Sequence, residues 1–225
     1  MTDGAARPAI PAAIADGRVI AVARGLTASV LPGIAAALYD AGILAFEVAL
    51  DSPDALAGLA AVAGFGVAAG KDRLLVGAGT VLSVVDAEAS VAAGAQFLAT
   101  RTAELDVIAW AAARGIPAFP GAMTPTEILA SWREGAAGVK VFPAGSLGPG
   151  YFREVRRQVA GIPLVPTGGV TGENAPAFLA SGAVAVGIGD WLTGSGDPEL
   201  VAERARSLLA ALAGSPRSDT RQTGD

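Results

Sequence analysis

The sequence predicts a closed (β/α)8 TIM barrel in a single domain, and three observations predict it. Short runs with strand character alternate with runs at helical spacing along the chain. Eight such units fit in roughly 200 residues, a length that α/β barrels occupy undivided. No Gly-x-Gly-x-x-Gly follows the first strand, which sets the barrel ahead of a doubly wound open sheet.

In chain order, the residues before Val19 are expected to form a short helix capping the barrel bottom. Strands are expected at 19–23, 45–50, 74–77, 96–99, 118–120, 139–142, 164–166 and 184–188. Helices are expected between them. Leu31, Ile34 and Leu38 recur at three and four, as do Leu105, Ile108 and Ala112, and Val201, Ala205, Leu208 and Leu212. Thr27 and Thr124 read as N-caps; Thr124 has Pro125 at the first helical position and Glu127 at the third. Asp197-Pro198-Glu199 opens the last helix in the same way. The domain is expected over residues 1–214. The polar segment 215–225 lacks apolar periodicity and reads as a disordered tail.

Composition narrows the chemistry. Hydrophobic residues make up 52% of the chain, with ample alanine for close helix packing. A net charge of −5 argues against nucleic-acid binding, which needs a basic face. There is no basic segment leading an apolar one at the N-terminus, and no apolar stretch is long enough to span a bilayer. A soluble cytoplasmic protein without a membrane partner is expected. The chain has no His and no Cys, which removes the commonest general base, the commonest metal ligand and the thiol nucleophile. No metal and no cofactor are expected; any catalysis must run on Lys, Glu and oxygen groups.

Two residues then stand out. The chain has two lysines against fourteen arginines. Lys71 lies in a polar turn, Gly-Lys-Asp-Arg. Lys140 lies inside the apolar run Gly138-Val-Lys-Val-Phe-Pro143. An ammonium buried there must find a carboxylate or shed its proton, and an unprotonated lysine attacks carbonyls. Glu47 is the only ionisable residue within the second strand, as Lys140 is within the sixth. Strands two and six face each other across an eight-stranded barrel, and both are even-numbered, so their inward side chains can share a layer. Either this is an inert buried ion pair or a lysine nucleophile with a carboxylate proton shuttle.

The carboxyl ends of barrel strands carry the active site. Here they hold Arg24, Asp51, Thr80, Thr100-Arg101, Phe142 and two glycine loops, Thr167-Gly168-Gly169 and Gly187-Ile188-Gly189. The two loops occupy the usual anion position after strands seven and eight, where glycine lets backbone N–H groups approach oxygens. Arg24 is either a surface arginine or a planar fork for a substrate carboxylate. Thr80 either helps that fork or caps the next helix. Phe142 is a further substrate-binding candidate. Trp110, Trp132 and Trp191 read as packing residues.

The stretches Ile20-Ala-Val-Ala-Arg24, Glu47-Val-Ala-Leu50, Gly77-Ala-Gly-Thr-Val81, Pro120-Gly-Ala-Met-Thr-Pro-Thr-Glu127, Lys140-Val-Phe-Pro143, Gly148-Pro-Gly-Tyr151, Val165-Pro-Thr-Gly-Gly-Val170 and Val186-Gly-Ile-Gly189 keep their order and spacing from Val19 to Leu192. In these the chain resembles the 2-keto-3-deoxy-6-phosphogluconate and 4-hydroxy-2-oxoglutarate aldolases and their phosphogalactonate relatives. The resemblance implies a (β/α)8 barrel, a homotrimer, and class I cleavage of a 2-keto-3-deoxy acid, such as the 6-phosphogluconate, to pyruvate and an aldehyde without metal. It implies Lys140 as the Schiff-base lysine and Glu47 as the acid/base. Arg24 and Thr80 would hold the keto-acid carboxylate, and Gly168, Gly169, Gly187 and Gly189 the phosphate.

Three departures bear on the substrate. Asp51 stands where some members have an arginine, Thr100-Arg101 where many have Ser-Pro, and Asp190 where many have a serine beside the phosphate. An aldolase for an unphosphorylated acid such as 4-hydroxy-2-oxoglutarate, or a barrel that binds a keto acid without catalysis, are the alternative expectations.

Overall fold

In the computed structural model, which describes residues 7–65 and 74–215, side-chain parity along the strands organises the molecule. The elements run α1 (Ala12–Ala15), β1 (Val19–Ala23), α2 (Leu31–Ala41), β2 (Ala45–Ala49), α3 (Ala55–Ala63), β3 (Leu75–Gly79), α4 (Val84–Ala92), β4 (Phe97–Ala99), α5 (Leu105–Ala112), β5 (Ala118–Phe119), β6 (Gly121–Ala122), α6 (Pro125–Arg133), β7 (Val139–Val141), α7 (Ala144–Gln158), β8 (Leu164–Pro166), α8 (Ala175–Ala180), β9 (Val186–Ile188), α9 (Asp190–Thr193) and α10 (Pro198–Leu212). Successive strand residues point to opposite faces. One parity, including Val19, Ala21, Phe46, Val48, Val76 and Leu98, packs against helix residues such as Ile34, Leu38 and Leu208. The other, including Ile20, Ala45, Phe97, Phe119 and Val165, forms a second, inner cluster. Phe97 and Phe119 meet edge to face there, 5.9 Å between centroids. The inner layer is closed from below by Ile14 of α1, which is fully buried in it, as the expected capping helix requires.

Each expected strand is present within two residues of its predicted bounds, and every strand pair is parallel. The expected single closed sheet is instead two sheets, one curled and six-stranded (β5-β4-β3-β2-β1-β9) and one three-stranded (β6-β7-β8). Pro120 explains one break. It has no N–H for the ladder, so the fifth expected strand divides there. β5 pairs with β4, β6 with β7, and the Pro120 carbonyl accepts from Lys140 N at 2.8 Å. On the other side, β8 and β9 are joined by the bridge Thr167–Gly187 and by Val184 N to the Leu164 carbonyl, 3.0 Å.

The helix ends follow local chemistry. Thr124 caps α6 in a full capping box with Glu127, Pro125 leading the helix. The backbone N–H groups of Met123 and Thr124 both donate to Glu127, and these bonds hold its pKa below the ordinary value. Asp197 caps α10 through Glu199 N. Thr27 does not cap α2. Its carbonyl accepts from Val30 N in a turn, and the helix begins only at Leu31 with Pro32 in its first turn. The three tryptophans pack against the core, each with a guanidinium over its ring: Arg7 on Trp132, Arg114 on Trp110 and Arg204 on Trp191. No helix of the described residues is long and apolar enough to cross a membrane. Lys71 and residues 216–225 lie outside the described residues.

Candidate active site

β2 and β7 each carry one charged side chain on the inward parity. Glu47 lies level with Val22 of β1 and Gly77 of β3, and Lys140 with Gly121 of β6 and Val165 of β8. The two meet across the interior. Lys140 Nζ donates to Glu47 Oε2 at 2.6 Å, with side chains only 6% and 3% exposed. Two charges in so dry a place must be paired, because each alone would lose its hydration without return. Gly79 makes the room: a Cβ there would stand 2.3 Å from Glu47 Oε1.

Directly beyond this pair lies a second, wetter group. Arg24 follows β1. Its Nη2 donates to Thr80 Oγ1 at 3.1 Å, and its Nη1 donates to Asp51 Oδ2. Both ends of the guanidinium are thus fixed. Thr80 is nearly buried and holds a left-handed backbone, φ 59°, uncommon for a side chain of this shape. It does not cap the following helix, since Ser83 does. Its hydroxyl serves Arg24. Arg101, after β4, donates to the same Asp51 oxygen at 2.6 Å.

The third part is the glycine loops. Gly168 has φ 83°, and a Cβ there would press within 2.5 Å of the Phe142 ring, so Phe142, half-exposed, lies over the Gly168 backbone. The carbonyls of Thr167 and Gly168 accept from Ala144 N and Gly145 N at 2.8 and 2.7 Å, which pins this loop to the start of α7. Among the described residues, no backbone hydrogen bond uses the N–H groups of Gly168, Gly169 or Gly189. Gly187 is in β9, bridged to Thr167. Asp190 is exposed at the first residue of α9.

The fold therefore unites Lys140 with Glu47, Arg24 with Thr80, and Phe142 with Gly168. It adds what sequence reading did not assign: Asp51 and Arg101, which form one charged group with Arg24. Their joint departure from the family pattern, a carboxylate and an arginine arriving together, was the available signal. Among the described residues no group of three or more His, Cys, Asp or Glu side chains could hold a metal ion.

The buried lysine–carboxylate pair suits a lyase, and membership of an aldolase family sets that class. The chain belongs to the KDPG and KHG aldolase family, whose model matches residues 10–202. It is 34% identical over 198 residues to a probable 2-dehydro-3-deoxy-6-phosphogalactonate aldolase of Rhizobium meliloti, covering 86% of this chain and 90% of the relative. It is 32% identical over 195 residues to the 2-dehydro-3-deoxy-6-phosphogalactonate aldolase of Escherichia coli, covering 86% and 93%. A solved KDPGal structure superposes with a TM-score of 0.80 at 32% identity, covering 86% of this chain and 93% of that one.

Proposed function

We propose that this protein is a metal-independent class I aldolase that cleaves a 2-keto-3-deoxy-6-phospho sugar acid to pyruvate and glyceraldehyde 3-phosphate. The observation that carries the reading is the 2.6 Å Lys140–Glu47 contact in an otherwise apolar interior. Buried pairs contribute little to stability compared with apolar packing, so chemistry is the better reason for this one. Family membership supports the reaction class, and the phosphogalactonate relatives support the substrate class.

Proton transfer along the contact leaves Lys140 as a free amine and Glu47 as an acid. The amine attacks the C2 ketone. Glu47 protonates the departing hydroxyl, water leaves, and an iminium forms. Glu47, now a carboxylate, takes the proton from the C4 hydroxyl. The C3–C4 bond breaks, its electrons flow into the iminium, and the aldehyde departs. Glu47 returns the proton to C3 of the enamine, and water hydrolyses the new iminium to pyruvate and Lys140. Arg24 and Thr80 hold the carboxylate so that C2 lies at the lysine, Phe142 walls the pocket, and the N–H groups of Gly168, Gly169 and Gly189 hold the phosphate, with Gly187 in the strand that carries the second loop.

The inner cluster draws side chains from both sheets, which supports a closed eight-stranded barrel as one domain over residues 1–214. A homotrimer follows from the family resemblance, and exposed Leu82 and Val85, before and in α4, offer apolar surface for a contact between copies; light scattering on the purified chain tests it. A cytoplasmic location fits a small-molecule lyase.

The test is cleavage of the phosphogalactonate and phosphogluconate substrates, read as pyruvate release and repeated with a chelator. Turnover that survives chelation supports the reading; activity restored only by a divalent cation contradicts it. Asp190 favours one second reading, an unphosphorylated substrate. A carboxylate about 4 Å from a phosphate costs roughly 1 kcal/mol per charge pair in water. On that reading unphosphorylated 2-keto acids compete well, and Asp190→Ser raises kcat/KM selectively for the phosphorylated one. A parent that prefers phosphate by several orders of magnitude removes it.

A further inference from the structure

We propose that Arg101 and Asp51 form a positioning device that fixes Arg24 and leaves the group a net positive charge facing the substrate carboxylate. The inference rests on the aldolase reading and adds two residues to it.

The geometry is specific. Asp51 Oδ2 receives Arg24 Nη1 and Arg101 Nη2 together, while the other terminal nitrogen of Arg24 reaches Thr80. The group joins the loops after β1, β2, β3 and β4. Ser52 Oγ, accepting from Gly25 N at 2.8 Å, ties the first two of these loops again. The backbone that carries Arg101 is closely packed. Its carbonyl lies so close to Gly121 that a Cβ there would stand 2.1 Å from the oxygen. Thr100 Oγ1 donates to the Thr102 carbonyl, fixing the turn that carries Arg101.

Charge explains why three members are needed. An Arg24–Asp51 pair alone fixes the guanidinium but is neutral, and so attracts an incoming carboxylate weakly. Arg24 alone is charged but loses its second anchor. With Arg101 on the same oxygen the group is both fixed and net +1. Side-chain exposures of 41%, 38% and 49% leave the group open to an arriving anion and also screened by salt. Asp51 and Arg101 thereby work as one unit. The acid that would oppose a carboxylate ligand arrives with the base that offsets it.

The experiment measures pyruvate capture on the full-length protein, as the concentration of pyruvate that gives half-maximal borohydride trapping. Arg101→Ala is expected to raise that concentration about tenfold while leaving the trapped fraction at saturation near the parent value. Arg101→Lys restores most of the loss at low salt. In an Asp51→Asn background, Arg101→Ala changes half-saturation less than it does in the parent, because the shared anchor is gone and only the through-space charge of Arg101 remains to be lost. Salt at about 1 M narrows the gap between parent and Arg101→Ala, since the Debye length is then only about 3 Å. An Arg101→Ala protein that traps like the parent overturns the proposal. So does an Arg101→Ala effect that persists undiminished in the Asp51→Asn background, which would make Arg101 a direct ligand. A parent that traps no pyruvate overturns the aldolase reading and this one with it. A folded parent that traps, with variants that do not differ, sinks this inference alone.

Discussion

Two of this molecule's cation–carboxylate groups lie a few residues apart along the strand ends, and water makes them opposites. Lys140–Glu47 is a single pair set in the nearly dry interior, 6% and 3% exposed. Arg24–Asp51–Arg101 is an uneven trio open to solvent by about two-fifths. In the first, each charge has its partner at 2.6 Å and almost no water, so each depends heavily on the other. In the second, water shares the work, so each contact is weak and the group acts through its net charge and orientation. A site for a charged keto acid needs both: a dry end for the bond-making step and a wet end to receive the anion.

The strongest way to break this contrast is to remove one member of the dry pair. Lys140→Met is expected to abolish turnover and to destabilise the fold by about 3–5 kcal/mol, because Glu47 is left buried without its cation. Lys140→Met with Glu47→Leu should recover most of that stability and no activity. Denaturant melts of the single and double variants check this; equal stability in both would mean that Glu47 reaches water and the site is not dry.

Glu47→Gln comes next. It keeps the shape, removes proton transfer, and should slow turnover on the order of 10²-fold or more with far-UV CD unchanged. Near-normal cleavage by this variant would make Glu47 structural. Gly79→Ala sharpens the same point without touching charge. Its Cβ would displace the Glu47 carboxylate, 2.3 Å away, so kcat should fall about tenfold or more from a misplacement of this kind.

The wet group should answer to salt. Moving from about 0.05 to 1 M salt shrinks the Debye length several-fold, so KM for the keto acid should rise severalfold while kcat holds. A salt response in kcat instead of KM would place the screened charges at the chemical step.

The smallest effect lies away from the site. Thr124→Ala should cost about 1 kcal/mol through the lost cap of α6. Glu127, the other half of that box, has a lowered pKa from the Met123 and Thr124 N–H groups. Its contribution is therefore fully present above the ordinary value of 4.5 and is lost as pH falls below it through the lowered value. Thermal melts of parent and Glu127→Gln should converge as the pH drops through that window, and only there.

Sequence legibility followed the same divide between dry and wet. Lys140 and Glu47 were readable because a charge inside an apolar strand contradicts its surroundings, and the contradiction needs no tertiary knowledge. Strand parity and the Thr124 box were local and therefore readable too. The Asp51–Arg101 contact was not, because each is an ordinary loop charge whose meaning depends on two loops fifty residues apart coming together. Gly79 and Gly121 were opaque for the same reason: the atoms they make room for come from other strands. Thr27 misled because a threonine before an apolar run also suits a turn, and the chain takes one before α2 begins. Pro120 sat in plain view, but its effect, handing one expected strand from one sheet to another, appears only when its neighbours are known.

Lys140 as the nucleophile can be tested by chemical trapping. The protein is incubated with pyruvate, reduced with borohydride, digested and mapped by peptide mass. A reduced pyruvyl adduct is expected on Lys140, absent without pyruvate and absent in Glu47-intact Lys140→Met protein. An adduct confined to Lys71, or none on a folded protein, would contradict it.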